Sequence, residues 1–310
     1  MTTLVWAYSE SEDAANELSS AANEIANATG GQAAVVEIGT ARANVGAANK
    51  LILKTSAKPP YIPGVVSEMI FRASEKLKPS VILVGSTRQG REVAARLAAK
   101  MGAGCMSDTF AFRISGQMLL GERNVYAGRV LAQLNAPMPC VATVKPGAYP
   151  AAKSSPATTQ EFDAGDVVSK VTVLKTTKKE AGNIDLRKAK TIVSVGRGMK
   201  KKEDVQLIQG LASSLGAAVG CSRPISSDLG WLPEECHIGL TGVSVNPDLY
   251  FAIGISGQLQ HVAGIKDSKV IAAINSDKDA PIFQAADYGI VGDMYQIVPA
   301  LQKALTARNR

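Results

Sequence analysis

The sequence is poor in the residues that build metal clusters and disulfide frameworks. It contains only four cysteines, and none of them form a C-x-x-C pair: Cys105, Cys140, Cys221 and Cys236. Zinc knuckles and cysteine-ligated iron–sulfur clusters need closely spaced thiolates, so we expect no metal site. A disulfide-stapled fold is also unexpected, because such frameworks belong to much smaller secreted domains. The cysteine pattern therefore favours a reducing compartment.

The chain also lacks a segment with the length and apolarity of a membrane span. Residues Leu249 to Ile265 carry no Asp, Glu, Lys or Arg, but they include Gly, Ser, Gln and His and are short for a bilayer. The N-terminus, Met1 to Trp6, has no basic residues and begins like a strand, so we predict no secretory signal. We expect no membrane insertion and a cytoplasmic location, or the mitochondrial matrix if the source is eukaryotic and the chain already processed.

Aromatic residues are scarce, at 5% of the chain, and they do not interleave with the basic residues. The formal net charge is +7, with the densest basic run from Lys175 to Lys190 and a second at Lys200–Lys202. Proteins that bind single-stranded nucleic acid combine such charges with aromatic stacking platforms. We therefore interpret both runs as solvated segments and expect no nucleic-acid partner. A basic surface can also steer an acidic protein partner.

The chain does have many glycines and a regular alternation of strand and helix patterns. Its 28 glycines and 46% hydrophobic residues favour an α/β core with tight strand-to-helix turns. In the first half, apolar runs predict strands at Leu4–Tyr8, Ala33–Ile38, Val81–Val84 and Cys140–Val144, with an alternating strand at Val167–Leu174. Helical spacing predicts helices around Leu18 and Met69 and after Gly90. Pro146–Thr159 reads as a loop.

The pattern restarts after the basic run, which predicts a second domain. Strands are predicted at Thr191–Val195, Ala217–Val219, Leu249–Ile255, Lys269–Ile274 and Gly289–Val291. A helix through Ile208 should stop at Gly216, and a terminal helix should include Val298 and Leu305. We predict two domains, residues 1–187 as an α/β scaffold and partner-contact domain and residues 188–310 as the ligand domain. Each should be a mostly parallel sheet covered by helices.

Polar or glycine-rich segments follow several strands of the second domain. In an open α/β sheet, ligands bind beyond the carboxyl ends of the strands. The segments are, in chain order, Gly196–Gly198, Ser222–Pro224, Ile238–Gly242, Ser256–His261, Asn275 and Asp293. Each has an ordinary interpretation as a turn or a surface side chain. Together, at one predicted sheet edge, they indicate a dinucleotide or flavin site.

The residue types suit different parts of such a ligand. Glycines around Arg197 let the backbone approach a phosphate at the start of the following helix, and a guanidinium can bind pyrophosphate bidentately. Arg223, before a stiffening proline, can stack on or donate to an electron-rich ring. Ser256 and backbone N–H groups at a predicted helix start suit a phosphate or a ring carbonyl, with His261 about one turn further on as a donor.

Asn275 and Asp293 close or follow strands, where polar side chains suit hydrogen bonding to an adenine, ribose or ribityl group. Three other functions fit parts of the pattern. A nucleotide-binding sensor without a redox role would use the strand end Val84–Arg88. A serine hydrolase would use Ser256 with His237 or His261, but its elbow needs a glycine where Gln258 stands. A nicotinamide-dependent enzyme is disfavoured because no G-x-G-x-x-G follows the first strand of either domain.

The second domain resembles the α subunit of electron-transfer flavoproteins from about Thr191 to Leu305. The matching stretches are Val195–Gly198, Ser222–Pro224, Gly230–Pro233, Pro247–Tyr250, Gly254–Gly257 with Gln260 and His261, Lys266–Lys269, Ala280–Phe283 and Ala286–Gly289. The first domain matches more loosely, and Gly102–Asp108 is its best stretch. So long an ordered set makes a chance likeness very improbable.

The resemblance implies an FAD held by a three-layer C-terminal domain at an interface with a β subunit. It implies an electron carrier rather than an enzyme. The flavin takes electrons from flavin-containing dehydrogenases, often acyl-CoA dehydrogenases of fatty acid β-oxidation, and passes them to an acceptor such as a quinone oxidoreductase. The resemblance leaves open whether the complex bifurcates electrons.

Carried over residue by residue, the resemblance also assigns the cofactor contacts. Arg223 lies by the isoalloxazine ring, Thr241 near its reactive nitrogen and His261 near a ring carbonyl, and these three tune the flavin. The full set is Arg197, Ser222, Arg223, Ile238, Gly239, Leu240, Thr241, Ser256, Gly257, Gln258, Leu259, Gln260, His261, Asn275, Asp293 and Met294. The chain departs from many family members at Leu240, where they have Gln, at Val243, where they have Lys, and in a longer loop after Arg223.

Overall fold

A computed structural model describes residues 3–57, 61–128, 130–153, 156–176 and 185–308. The chain forms two compact units, Met1–Thr176 and Thr177–Arg310. The domain boundary near residue 187 stays a prediction, although Leu186 is already buried in the core of the second unit, which favours a boundary upstream of it. Among the residues described, no helix combines the length and apolarity needed to cross a membrane.

Among the described residues, the first unit contains ten strands and three α-helices. The strands are β1 Leu4–Tyr8, β2 Gln32–Ile38, β3 Asn49–Lys54, β4 Val81–Gly85, β5 Gly104–Thr109, β6 Ala111–Ser115, β7 Met118–Val125, β8 Val130–Pro137, β9 Cys140–Val144 and β10 Thr158–Asp163. The helices are α1 Glu12–Ala28, α2 Pro63–Leu77 and α3 Arg88–Met101. Seven strands form one parallel sheet in the order β10-β3-β2-β1-β4-β9-β5, and β6-β7-β8 form an antiparallel sheet.

Alternation along the central strand divides the core of the first unit into two layers. Val5 packs in a cluster with Leu18 of α1 and Leu119 of the antiparallel sheet. The next residue, Trp6, packs on the other face with Met69 of α2 and Leu97 of α3. Because successive side chains of a strand point to opposite faces, a sheet with two covered faces needs such continuously apolar strands. The predicted parallel, helix-covered sheet is confirmed, and the antiparallel sheet is an addition to it.

The alternating segment Val167–Leu174 is not a strand, and this prediction was wrong. Val167 is buried, but Val168 and Leu174 are 87% and 94% exposed, and the segment pairs with no strand among the described residues. The sheet edge is occupied instead by β10, which pairs in register with β3. The predicted loop Pro146–Thr159 accordingly ends where β10 begins, at Thr158. Alternation alone does not make a strand without a neighbour to receive its hydrogen bonds.

The second unit is a single five-stranded parallel sheet between two helical layers. Its strands are β11 Thr191–Val195, β12 Ala218–Cys221, β13 Leu249–Ile253, β14 Ile271–Asn275 and β15 Tyr288–Val291. Its helices are α4 Val205–Leu215, α5 Leu259–Val262, α6 Ile282–Ala285 and α7 Met294–Arg308. The strand order is β12-β11-β13-β14-β15, and every pair is parallel.

The two faces of this sheet have separate cores. Ile192 and Ala252 pack with Ile282 of α6 on one face, while the next residues, Val193 and Ile253, face α4 and α7 on the other. The predicted three-layer domain is confirmed. Four strands differ from their predicted limits, because β12 is Ala218–Cys221, β13 stops at Ile253, β14 runs from Ile271 to Asn275, and β15 begins at Tyr288.

Candidate cofactor site

The strand order of the second unit places two predicted loops side by side. β11 lies between β12 and β13, so the chain leaves the carboxyl end of β11 toward one side and that of β13 toward the other. This is the topological switch point at which open α/β sheets bind ligands. The two loops that begin there are Gly196–Gly198 and Gly254–Gly257. The sequence predicted both as ligand contacts, and the structure brings them into contact.

Backbone atoms of the two loops touch directly. The N–H of Gly198 donates to the carbonyl of Gly254 at 3.0 Å, and the N–H of Gly196 donates to Ile253 at 2.9 Å. A Cβ on Gly198 would lie 2.7 Å from the Cα of Gly254, so neither loop has room for a side chain there. Gly254 has φ +60, the left-handed conformation that turns the chain out of β13 two residues earlier than predicted. The contact leaves Arg197 and Ser256 exposed on adjoining loops.

The helix predicted through Ile208 and ending at Gly216 is confirmed as α4, Val205–Leu215. It follows a short helical turn at Lys202–Asp204, so its first turn does not lie at the Gly196–Gly198 loop, where the sequence predicted a phosphate. The helix expected after Gly257 is only the four-residue α5. Anion binding here would therefore depend on loop N–H groups and arginine side chains, because a helix dipole acts only within its own first turn.

The loop after β13 is fixed by hydrogen bonds to neighbouring segments. The side-chain amide of Asn275 donates to the carbonyl of Ile255 at 2.9 Å, and the N–H of Ile282 donates to Ser256 at 3.0 Å. Gly257 has φ +83, and a Cβ there would lie 2.2 Å from the nitrogen of Ile282. Asn275 thus braces the loop, in addition to the ligand contact predicted for it.

The Ile238–Gly242 loop joins the same edge. Its buried residue Ile238 pairs with Val243, and the N–H of Leu240 donates to the carbonyl of Gln260 at 2.7 Å. Leu240 and Thr241 are exposed, as are Gln258, Leu259 and Gln260 on the facing segment, whereas Gly239 and Gly257 are buried backbone. The structure therefore gathers the central predicted residues around one set of linked loops.

Two further predicted residues, Asp293 and Met294, make contacts within the protein. Asp293 accepts a hydrogen bond from the N–H of Tyr295 at 2.9 Å at the start of α7, but its side chain remains exposed. Met294 is 5% exposed and packs in the core, so only its backbone could reach a ligand. These two lie beyond β15, at the far end of the strand order from Ser222 and Arg223.

Arg197 and Arg223 supply the free positive charge of the site. Both are exposed, and neither side chain forms an ion pair or hydrogen bond with the residues that the structure describes. After β12 the chain continues through the half-buried Ser222 and the exposed Arg223 into a π-helical turn, Pro224–Asp228. Burial, and then the charge of Arg223, lowers the pKa of His237. His237, for which the sequence suggested only a role in hydrolysis, therefore lies in the electrostatic field of the site.

His261 is inside the protein rather than on its surface. It is 7% exposed, and its Nε2 lies 2.9 Å from the hydroxyl oxygen of Tyr250. The pKa of His261 is lowered to about 4, mainly by burial and to a smaller extent by the charge of His237, while the Ile238 backbone partly offsets the decrease. At neutral pH the ring is uncharged and can act only as a neutral hydrogen-bond donor or acceptor. Its Nδ1 is buried and forms no well-aligned hydrogen bond with the residues that the structure describes.

The charges and the glycine backbone of these loops suit an anionic ligand at this sheet edge. Two unpaired guanidinium groups, side-chain-free glycine loops and an orphaned ring nitrogen lie on linked loops of one sheet edge. Hydrolysis is not supported, because Ser256 forms no side-chain hydrogen bond with either histidine in the described part of the chain. The strand end Val84–Arg88 of the first unit is closed internally, since Ser86 bonds to Asp108 and Thr87 caps α3.

Comparisons with known proteins match both units. The Electron transfer flavoprotein FAD-binding domain matches residues 185–266, and the Electron transfer flavoprotein domain matches residues 5–169. Electron transfer flavoprotein subunit alpha of Bacillus subtilis is 37% identical over 253 residues, which are 80% of this chain and 78% of that protein. The Escherichia coli proteins YdiR and FixB are 39% and 37% identical over 233 and 231 residues, covering 74% and 73% of both chains.

Proposed function

Since the chain belongs to the electron transfer flavoprotein alpha subunits, we propose that it accepts electrons from flavin-containing dehydrogenases and delivers them to a separate acceptor. The chain binds FAD and serves as an electron carrier in a heterodimer with a beta subunit. Acyl-CoA dehydrogenases are the donor class that we propose, and a quinone oxidoreductase is the acceptor. The observation that carries the proposal is the contact of the Gly196–Gly198 and Gly254–Gly257 loops beside two unpaired arginines.

Different loops and side chains at the switch point would bind different parts of the cofactor. We propose that Arg197 and the Gly196–Gly198 backbone hold the pyrophosphate, while Ser222 and the Ser256–Gln260 segment contact the rest of the cofactor. FAD, when bound, supplies the redox centre. Arg223, Thr241 and His261 would surround the ring, and Asn275 with Asp293 would serve the adenosine side. The backbones of Ile238, Gly239 and Met294 complete the set.

The competing function is a nucleotide-binding sensor without a redox role. It would place the ligand at Val84–Arg88, where Ser86 and Thr87 already use their hydroxyl groups within the protein. The alternative is therefore not favoured. We propose that the first unit is a scaffold and partner-contact domain that ends upstream of Leu186, which packs in the core of the second unit.

A visible spectrum tests the proposed function directly. The chain is co-purified with its beta subunit, and the absorbance is recorded before and after incubation with FAD. We expect flavin bands that decrease on anaerobic addition of a reduced acyl-CoA dehydrogenase. A complex that stays colourless after reconstitution would reject FAD binding, and a yellow complex that no flavin dehydrogenase reduces would reject the proposed donor.

Arg223→Ala should lower the flavin midpoint potential, because a cation near the ring stabilises the negative charge that reduction adds. Hydrogen bonds to charged groups contribute about 1.5–3 kcal/mol, but Arg223 is exposed and partly screened by solvent. We therefore expect a decrease of roughly 40–90 mV, at 59 mV per tenfold change for one electron. A spectroelectrochemical titration measures it.

Two variants make this test specific. Arg223→Lys keeps the charge and should recover most of the potential. Lys303→Ala removes an exposed charge from α7, away from the loops, and should leave the potential unchanged. Equal potentials for Arg223→Ala and the parent complex would contradict the role of Arg223.

A further inference from the structure

Tyr250 is a fully buried polar residue beneath the linked loops of the candidate site. It lies on β13, is 0% exposed, and packs among Ile192, Ile238 and Ile255 in the core beneath the loops. Its hydroxyl oxygen is 2.9 Å from Nε2 of His261, and the two rings are tilted by 56° with centroids 6.1 Å apart. A phenol placed in such a core normally needs a partner for its hydroxyl group. His261 is that partner.

The surroundings of Tyr250 determine the direction of this hydrogen bond. Burial raises the pKa of the phenol, so Tyr250 keeps its proton and has a hydrogen to donate. Its hydroxyl oxygen lies within hydrogen-bond distance of Nε2 of His261, whereas Ser194 Oγ, also buried, has no well-aligned hydrogen-bond partner among the described residues. Because a buried donor without an acceptor costs free energy, the phenol hydrogen is directed toward Nε2. Nε2 is then the acceptor.

The second ring nitrogen must then carry the proton of the neutral imidazole. Nδ1 of His261 is buried and has no well-aligned hydrogen-bond partner among the described residues, and the Ile238 backbone near the ring favours its protonated form. Ile238 begins the Ile238–Gly242 loop, whose N–H at Leu240 is tied to Gln260 of the His261 segment. The unsatisfied donor therefore lies at the base of the linked loops. Leaving a buried donor without a partner costs free energy, which a ligand atom there would recover.

We propose that Tyr250 is a positioning residue, which donates to Nε2 of His261 and so presents Nδ1–H as the hydrogen-bond donor to the cofactor. The inference rests on the proposed FAD site. The opposite tautomer would present a lone pair, which repels a ring carbonyl. A neighbour that fixes the tautomer of a functional imidazole controls whether it donates or accepts. Tyr250 would act on the cofactor only through His261.

The small number of histidines makes the tautomer directly measurable. The chain contains two, His237 and His261. The full chain, isotope-labelled in histidine only and bound to unlabelled beta subunit, is examined by NMR for the ring nitrogen that is coupled to a proton. The spectrum of His261→Gln assigns the signals by the set that disappears. We expect the His261 proton on Nδ1 in the parent complex and its transfer wholly or partly to Nε2 in Tyr250→Phe.

Tyr250→Phe removes one oxygen atom from the core, and Tyr288→Phe makes the same change on a side chain that is 69% exposed. We expect Tyr250→Phe to weaken FAD binding about 2- to 10-fold, the effect of one hydrogen bond, and Tyr288→Phe to leave it unchanged. A parent His261 protonated on Nε2, or an unchanged tautomer in Tyr250→Phe, would overturn the inference. The tautomer is read without FAD as well, so a failure of FAD binding is a separate outcome that rejects the proposed function alone.

Discussion

Gly257→Ala is expected to lower FAD affinity roughly 30-fold or more. The left-handed backbone at φ +83 costs a residue with a Cβ about 1–2 kcal/mol. The new Cβ would also lie 2.2 Å from the nitrogen of Ile282. Ile282 is fully buried, and its N–H donates a hydrogen bond to the carbonyl of Ser256. Overpacking of this kind costs about 1–3 kcal/mol. Because the Ser256 loop must move to relieve the overlap, much of the combined cost should appear in cofactor binding.

Gly216→Ala is the matched control for this prediction. Gly216 ends α4 with φ +59 and has nothing within 4 Å of an added Cβ. It therefore has the same backbone cost without the overlap, and it lies at the opposite edge of the sheet from the site. Flavin absorbance after equilibrium dialysis gives the affinities, and urea unfolding gives the stabilities. We expect both variants to lose stability, but only Gly257→Ala to lose FAD. Equal FAD affinity in the two variants would show that this loop is not at the cofactor.

Acidification should destabilise the second unit through His261. The pKa of this ring falls from 6.5 in the unfolded chain to about 4 in the fold, because burial disfavours the charged form. The native state therefore binds fewer protons than the unfolded state in this range, and its stability decreases as the pH falls. The contribution is complete above about pH 6.5 and lost by about pH 4. At 1.36 kcal/mol per pKa unit, the loss is about 3 kcal/mol.

The measurement needs a separate signal for each unit. Trp6 lies in the first unit and Trp231 in the second, so fluorine-labelled tryptophan reports their unfolding separately in urea. The carboxylates titrate in the same range, so the informative quantity is the difference in pH slope between the parent chain and His261→Gln. We expect the parent curve to be steeper. His237, whose pKa is also lowered, adds a smaller effect of the same sign. Parallel curves would refute a buried neutral His261.

Strands with continuous apolar character were predicted closely, because burial on both faces leaves a clear pattern. Leu4–Tyr8, Cys140–Val144 and Thr191–Val195 are strands with the predicted limits. The antiparallel strands β6 to β8 escaped prediction because one face of that sheet is exposed and their sequences mix polar and apolar residues. Val167–Leu174 was predicted as a strand and is not one. Its alternation describes a single segment, whereas strand pairing also depends on a segment distant in the chain.

The location of the candidate site could be predicted from the sequence, whereas its internal contacts could not. The residue types at the strand ends indicated its location, since parallel strands must end at a common edge. The sequence could not show that Nε2 of His261 meets Tyr250, because that contact depends on how a one-turn helix sits over a strand. Nor could it show that Asn275 braces the loop at Ile255. Both contacts join segments that are separated in the chain, and no local pattern encodes them.

The contact between Gly198 and Gly254 restricts how this site could be re-engineered. Each position is blocked by the main chain of the other, so neither can be varied alone, and varying both together would enlarge the overlap. Leu240 and Thr241 face solvent on a neighbouring loop and carry no such restriction. Libraries that aim to shift the redox properties of the bound group should therefore randomise that loop and leave the glycine crossing untouched.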